Sequence, residues 1–174
     1  LLDIIPHSQS IIAEFPDYYV LNIGVCDAAT REIPLWISNM ITKPNGGPLH
    51  RLIAILHHHL IKPNIAFFTR LRGRRAWLST AQFQALYSDL LKTLRENTNA
   101  KIICLSINQA NERVESMIPG SSENYIAYSS IIESCAQEYG CAYVDTHHLT
   151  AAAHYPDGTH YNDLGHQLMA DRIL

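Results

Sequence analysis

Three short stretches of the 174-residue chain are almost continuously apolar, and the segments between them repeat apolar residues at helical spacing. Tyr18 to Ile23 is aromatic and β-branched and ends at Gly24, which predicts a first strand. Lys101 to Ile107 predicts a second, and Cys141 to Val144, entered from Gly140, a third. Runs without polar alternation fit strands buried on both faces of a parallel sheet. Thr80 to Arg95 carries Phe83, Leu86, Leu90, Leu91 and Leu94 on one stripe, with Thr80 as candidate cap. Ser122 to Tyr139 repeats the pattern, with Ser122 as cap and Tyr125, Ile126, Ile132 and Cys135 on one side. Asn162 to Leu174 does so again through Leu164, Leu168, Met169 and Ile173. Leu1 to Phe15 is close to helical period, interrupted by Pro6.

Strand–helix alternation of this kind implies a parallel α/β sheet with helices on both faces. The length suits one domain, residues 1–174, with a core that needs no disulfide or metal. Three strands make a thin sheet, so further strands are expected ahead of Leu1. The chain opens without methionine or targeting pattern and stops inside a predicted helix, which reads as a fragment.

Composition narrows the class. At 47% apolar and 17% charged residues the chain is too rich in core formers for disorder. No apolar run reaches the roughly 18 residues of a membrane span. The four cysteines, Cys26, Cys104, Cys135 and Cys141, lack C-x-x-C spacing and read as buried thiols. Charge is unevenly placed. From Ile33 to Ser88 there is no acid, while Lys43, Arg51, Lys62, Arg70, Arg72, Arg74 and Arg75 are basic. Leu49, Leu52, Ile53, Leu56 and Leu60 predict an amphipathic helix within this stretch. Residues 33–79 are too long for a plain loop and read as a basic insertion over the active face. Arg70, Arg72, Arg74 and Arg75 are candidate anion-binding residues, for an acidic glycan, a phosphorylated acyl donor or a membrane surface. Nucleic acid is not expected, because no binding motif accompanies the charge.

In a parallel sheet, ligands sit beyond the carboxyl ends of the strands. Two sequence features fall there. Gly24-Val25-Cys26-Asp27 follows the first strand, and Asp157-Gly158-Thr159-His160 lies between the third strand and the last helix. A histidine base needs an acceptor on one ring nitrogen, and Asp157 can supply it if the chain turns at Gly158. Asn162 and Asp163 then cap the next helix and hold the loop.

Tyr155-Pro156-Asp157-Gly158-Thr159-His160-Tyr161-Asn162, followed by Leu164-Gly165-His166, resembles the last block of the SGNH (GDSL-type) hydrolase family. Gly24-Val25-Cys26-Asp27 resembles its G-x-N-D block, and the strands at 101–107 and 140–145 resemble its later strands. The resemblance implies a three-layer α/β/α, flavodoxin-like domain, incomplete at the N-terminus. It implies a serine ester hydrolase in which Asp157 and His160 complete a Ser-His-Asp triad. The substrate would be a small acyl ester or acylated glycan, with no cofactor.

This sequence departs from the pattern twice. No Gly-Asp-Ser segment for the nucleophile occurs, nor does the block that supplies a backbone oxyanion donor from a glycine. Ser8 and Ser10 precede the strand and are poor substitutes. Cys26 stands where the family has an oxyanion-donating asparagine, and a thiol is a weak donor. Cys26 as nucleophile beside Arg31 is a further option. So are glycan O-acyl transfer and a non-catalytic α/β module binding an anionic ligand. No metal site is expected: His57, His58 and His59 point apart on a helix, and His147, His148, His154, His160 and His166 match no known ligand spacing.

Overall fold

The structure is a computed structural model that describes residue 1 and residues 4–14, 16–42, 47–147 and 154–173. Phe15, Lys43, His148 and Leu174, which entered the sequence expectations, lie outside the described residues. Among the described residues, β1 (Tyr18–Leu21), β2 (Lys101–Leu105) and β3 (Ala142–Val144) form one parallel sheet in the order β1-β2-β3. Tyr19 pairs with Ile102 and Leu21 with Cys104, while Cys104 pairs with Tyr143. The chain is thus a mixed α/β fold in which each crossover between parallel neighbours carries helices.

A short 3-10 turn (Ile5–His7), begun by Pro6, leads into α1 (Ser8–Ala13), so the predicted N-terminal helix is shorter than its apolar pattern. The first crossover holds α2 (Val25–Ala28), α3 (Leu35–Thr42), α4 (Pro48–Leu56), a π-helical turn (His57–Ile61), a 3-10 turn (Lys62–Asn64), α5 (Ile65–Leu71) and α6 (Thr80–Asn97). The second holds α7 (Glu112–Met117) and α8 (Ser121–Glu138), and α9 (Asp163–Ile173) follows β3.

The core lies between one sheet face and the pair α6–α8. Tyr19, Ile102 and Cys104 point inward, against Phe83, Tyr87, Leu90, Leu91 and Leu94 of α6 and Tyr125, Tyr128, Ile132 and Cys135 of α8. Fully burying each such side chain contributes about 1.5–3 kcal/mol. Burial in this cluster pushes the Cys104 thiol up to about 12, so it is inert as a nucleophile at neutral pH. The Tyr128 hydroxyl donates to the Leu78 carbonyl and ties α8 to the segment that enters α6.

Several expectations change. Double-sided burial fails at β1, where Tyr18 is 54% and Val20 45% exposed. β1 is an edge strand, and the helices pack against its other face. The strands stop at Leu21 and Leu105 rather than running on to Ile23 and Ile107. The α6 cap is Ser79, not Thr80. Its side chain accepts from the Gln82 amide while Gln82 reaches back, a capping box spelled Ser79-Thr80-Ala81-Gln82. Ile126 and Leu164 face solvent, off the stripes assigned to them. In α4, too, the apolar residues Leu49, Leu52 and Leu56 are exposed, as is Leu60 just beyond it.

The start of α8 is capped from outside, not by Ser122. Gly120 precedes the helix and has no side chain to cap it. Instead the Glu115 carboxylate of α7 accepts the Gly120 amide at 2.6 Å and the Ser122 amide at 3.0 Å. Desolvation pushes this carboxyl up, but the two amides, the Ser122 hydroxyl and Arg74 together outweigh it and hold its pKa below the ordinary value.

Glu115→Gln is therefore expected to lower stability at pH 7 by about 1 kcal/mol, in the range for loss of a helix cap. With the folded pKa depressed, the stabilisation is complete above the unfolded glutamate value and is lost as pH falls through the folded one. Urea melts at pH 7 and near pH ~3 check this. An equal cost at both would exclude the charged clasp.

Candidate active site

Both sequence candidates are seated on the segment 106–111, which leaves the carboxyl end of β2. Ser106 anchors this segment. Buried one residue past β2, its hydroxyl donates to Asp145 Oδ1 at 3.1 Å and accepts the Thr146 amide at 2.7 Å. The Thr146 hydroxyl returns to the Ser106 carbonyl at 2.6 Å. The Ile107 amide donates to the Ser129 hydroxyl at 3.0 Å, which fixes the segment to α8.

Gly24 lies against this segment. Its φ is +119°, and a Cβ there would stand 3.2 Å from Ile107 Cδ1 and 3.2 Å from Phe83 Cζ. Glycine is required twice over, by the left-handed backbone and by the close approach. Gly24 starts the four-residue α2, which contains Cys26 and Asp27. Against the expectation of four buried thiols, only Cys104 and Cys135 are buried: Cys141 is half-buried and the Cys26 thiol is exposed and free, because Cys26 lies on the short α2 beyond the strand end, where its carbonyl accepts from Arg31 Nη2 at 2.8 Å. The Asp27 carboxylate accepts from the Leu1 amino group at 3.0 Å.

On the other side of the segment sits the loop 157–160. Gly158 has φ +87°, and a Cβ there would lie 2.5 Å from Asn111 Oδ1 and 2.6 Å from Val114 Cγ2. Asn111 itself caps α7, accepting the Val114 amide at 2.9 Å. Arg113 of α7 donates to the Pro156 carbonyl at 3.4 Å. The loop thus packs on the first turn of α7, and Asn162 closes it by accepting the Gly165 amide at 2.9 Å.

Inside that loop, Asp157 Oδ1 accepts the amides of Thr159 at 2.9 Å and His160 at 2.8 Å. Its other oxygen, Oδ2, is 2.6 Å from His160 Nδ1. The carboxylate therefore orients backbone and imidazole together. Donation from the His160 ring, then from the His160 and Thr159 amides, holds the Asp157 carboxyl well below the usual carboxylate range. An ionised acceptor places the proton on Nδ1 and leaves Nε2 for proton transfer. His160 is 82% exposed, so substrate has access to it.

Other candidates are dispersed. Arg70 and Arg74 share a cleft with Glu112 and Glu115. Arg72, Arg74 and Arg75 line a second cleft with Trp77 and Gln82. The Arg72 guanidinium is committed to backbone, donating to the Arg31 carbonyl at 3.1 Å and the Arg75 carbonyl at 2.8 Å. His57 Nε2 is 3.0 Å from Glu32 Oε1, and His58 and His59 meet edge to face. Among the described residues no group of three or more His, Cys, Asp or Glu side chains converges as a metal site would need. Sequence reasoning missed Ser106, Asn111 and Glu115. Asn111 was detectable as an asparagine followed by the acidic first turn Glu112-Arg113-Val114-Glu115. Ser106 acts across about 40 residues of sequence, and Glu115, only five and seven residues from the amides it accepts, carries no capping signature because the bond crosses from one helix to the start of the next.

A model of the GDSL-like lipase/acylhydrolase family matches residues 7–168. The chain belongs to that family. Among solved structures it is similar to an acetylxylan esterase from Geobacillus stearothermophilus, at 17% identity and TM-score 0.60, covering 99% of this chain and 64% of that one. It is also similar to LAE5, an alpha/beta hydrolase enzyme from the metagenome of Lake Arreo, Spain, at 18% identity and TM-score 0.61, covering 99% and 65%. This GDSL-family chain thus spans just under two thirds of the length of those structures. A search of curated proteins finds no match.

The depressed Asp157 carboxyl gives a direct test. Loop order from this group is complete above the unfolded aspartate value and is lost as pH falls through the lower folded one. Carboxyl carbon NMR is expected to show Asp157 titrating below the ordinary value near ~4, and His160→Ala should move it upward. A midpoint at the ordinary value, indifferent to His160, would mean the loop does not hold the pair.

Proposed function

We propose that this GDSL-family chain is the His–Asp part of a serine ester hydrolase that works through an acyl-enzyme. The observation that carries the reading is the 2.6 Å contact between His160 Nδ1 and Asp157, braced by two backbone amides. A serine from a Gly-Asp-Ser segment, absent from this sequence, attacks the ester carbonyl while its proton passes to His160 Nε2. The imidazolium, stabilised by Asp157, then gives that proton to the leaving alkoxide. Water attacks the acyl-enzyme with His160 as base, releasing the acid and restoring the serine. The acetylxylan esterase among the similar structures, also described as an acetyl-xylooligosaccharide esterase, supports an acylated glycan as the substrate class. With a sugar hydroxyl replacing water, the same steps give glycan O-acyl transfer.

The 174-residue chain is expected to hydrolyse p-nitrophenyl acetate no faster than buffer. Turnover that His160→Ala abolishes would locate the nucleophile within these residues and overturn the division of roles. In a longer chain that supplies the serine, His160→Ala is expected to lower kcat by about 10⁴-fold or more.

The exposed thiol at Cys26 favours a second reading, a family member without catalysis. One substitution separates the two. If Cys26 holds the place of an oxyanion donor, Cys26→Asn in the serine-bearing chain should raise kcat about tenfold or more, because an amide N–H stabilises a developing oxyanion better than a thiol. Loss of activity on that change, with inactivation of the wild type by iodoacetamide, would instead make Cys26 the nucleophile. No turnover in either form would leave the non-catalytic reading standing.

A further inference from the structure

The amphipathic pattern of α4 is turned inside out. Its inward stripe is His50, Ile53, Ala54 and His57, all half-buried. His50 Nε2 is 3.0 Å from the Ile41 carbonyl, and His57 Nε2 is 3.0 Å from Glu32. Polar contacts therefore attach the helix to the body, while Leu49, Leu52, Ile55 and Leu56 face solvent, Leu49 with 66% of its surface exposed. The exposed series continues through Leu60, Phe67 and Leu71, the last 71% exposed. Trp36, on the neighbouring helix α3, is exposed as well. Scattered exposed apolar residues are ordinary, but a run of seven along one helical excursion marks an interaction surface.

Charge says which partner fits. Arg51 lines one groove with Pro48, Leu52 and Ile55, and Lys62 is exposed in the following turns, while Arg70 faces Glu112 and Glu115 across a cleft. No acid occurs between Ile33 and Ser88. An exposed apolar helix face flanked by Arg51 and Lys62 matches an anionic lipid interface, which takes the leucines among its acyl chains and pairs its headgroups with the basic side chains. A partner protein groove would demand no such one-signed border. Among the described residues no helix is long and apolar enough to cross a membrane, so the helices would lie on the surface.

We propose that residues 48–71 dock on an anionic lipid surface, with Leu49, Leu52, Ile55, Leu56, Leu60, Phe67 and Leu71 as the inserting residues and Arg51 and Lys62 as the electrostatic border. The proposal stands apart from the ester chemistry and is tested without it. The full chain is mixed with phosphatidylcholine vesicles, with or without phosphatidylglycerol, and sedimented. It should pellet with the anionic vesicles at low salt and be released at about 1 M salt, where the Debye length is roughly 3 Å. Leu52→Glu with Ile55→Glu should abolish pelleting. Arg51→Gln and Lys62→Gln should each weaken it about fivefold. All of these side chains are exposed, so melting temperatures should not move. If the double glutamate variant fails to fold, the two glutamine variants and the salt titration decide alone.

Failure of the wild type to pellet with anionic vesicles at low salt would overturn the proposal. So would pelleting indifferent to both sets of substitutions. A dimer in sedimentation velocity that Leu52→Glu with Ile55→Glu dissociates, with no vesicle binding, would show that a second copy covers the face instead.

Discussion

The candidate site depends on one buried hydroxyl. Ser106 stands one residue past β2, itself buried, with its amide still donating to the Val144 carbonyl of β3 at 3.1 Å. Its side-chain and carbonyl bonds to Asp145 and Thr146 extend that ladder and hold the loops beyond β2 and β3 together. A buried backbone group without a partner costs roughly 1–3 kcal/mol, so the chain past the strand end is pinned rather than draped. Gly24 then fits against Ile107, and Gly158 against Asn111 and Val114. Two features more than 130 residues apart in sequence thereby come to flank one short segment.

The parts of this arrangement that were legible in sequence are those with local signatures. The three strands showed as apolar runs, and α6 and α8 as stripes, because burial against a sheet imposes a period on the residues themselves. Asp157 and His160 were legible because their geometry is also local: three residues, a glycine turn, and a carboxylate that reaches its own backbone. The sheet edge was not. Tyr18 and Val20 are chemically what a buried strand would carry, and they are open because the helices pack on the opposite face of β1, the one that carries Tyr19. Nor was the clasp on α8, since Glu115 looks like any surface glutamate until Gly120 and Ser122 turn their amides toward it.

Charge counts mislead for a related reason. The arginines between 70 and 75 appear in sequence as an unopposed cluster. In the fold, α7 brings Glu112 and Glu115 to the cleft of Arg70 and Arg74, while Arg72 is taken up by carbonyls of its own neighbourhood. Local positive charge there is partly structural, holding the segment after α5 to the residues around Arg31. The cations whose surroundings remain one-signed are those beside the outward leucines of α4 and the turns after it. The same sequence count thus separates into a neutralised part and an unbalanced part, and only the second has the character of a contact surface.

The dyad itself shows how far geometry and environment can separate. Tautomer and ring orientation require one carboxylate, and Asp157 supplies them through a self-contained loop. Stabilising charge in a transition state requires more, because dipoles act strongly only where water is excluded. His160 at 82% exposure has bulk water around most of its ring, and water screens charge there far more than in a buried site. A loop of this construction can therefore be correct in every distance and still contribute little rate. Excluding water from such a loop takes a surface packed over it, and the loop 157–160 and Gly24 both rest on the segment from Ser106 to Asn111, which makes that segment the common foundation of the candidate site.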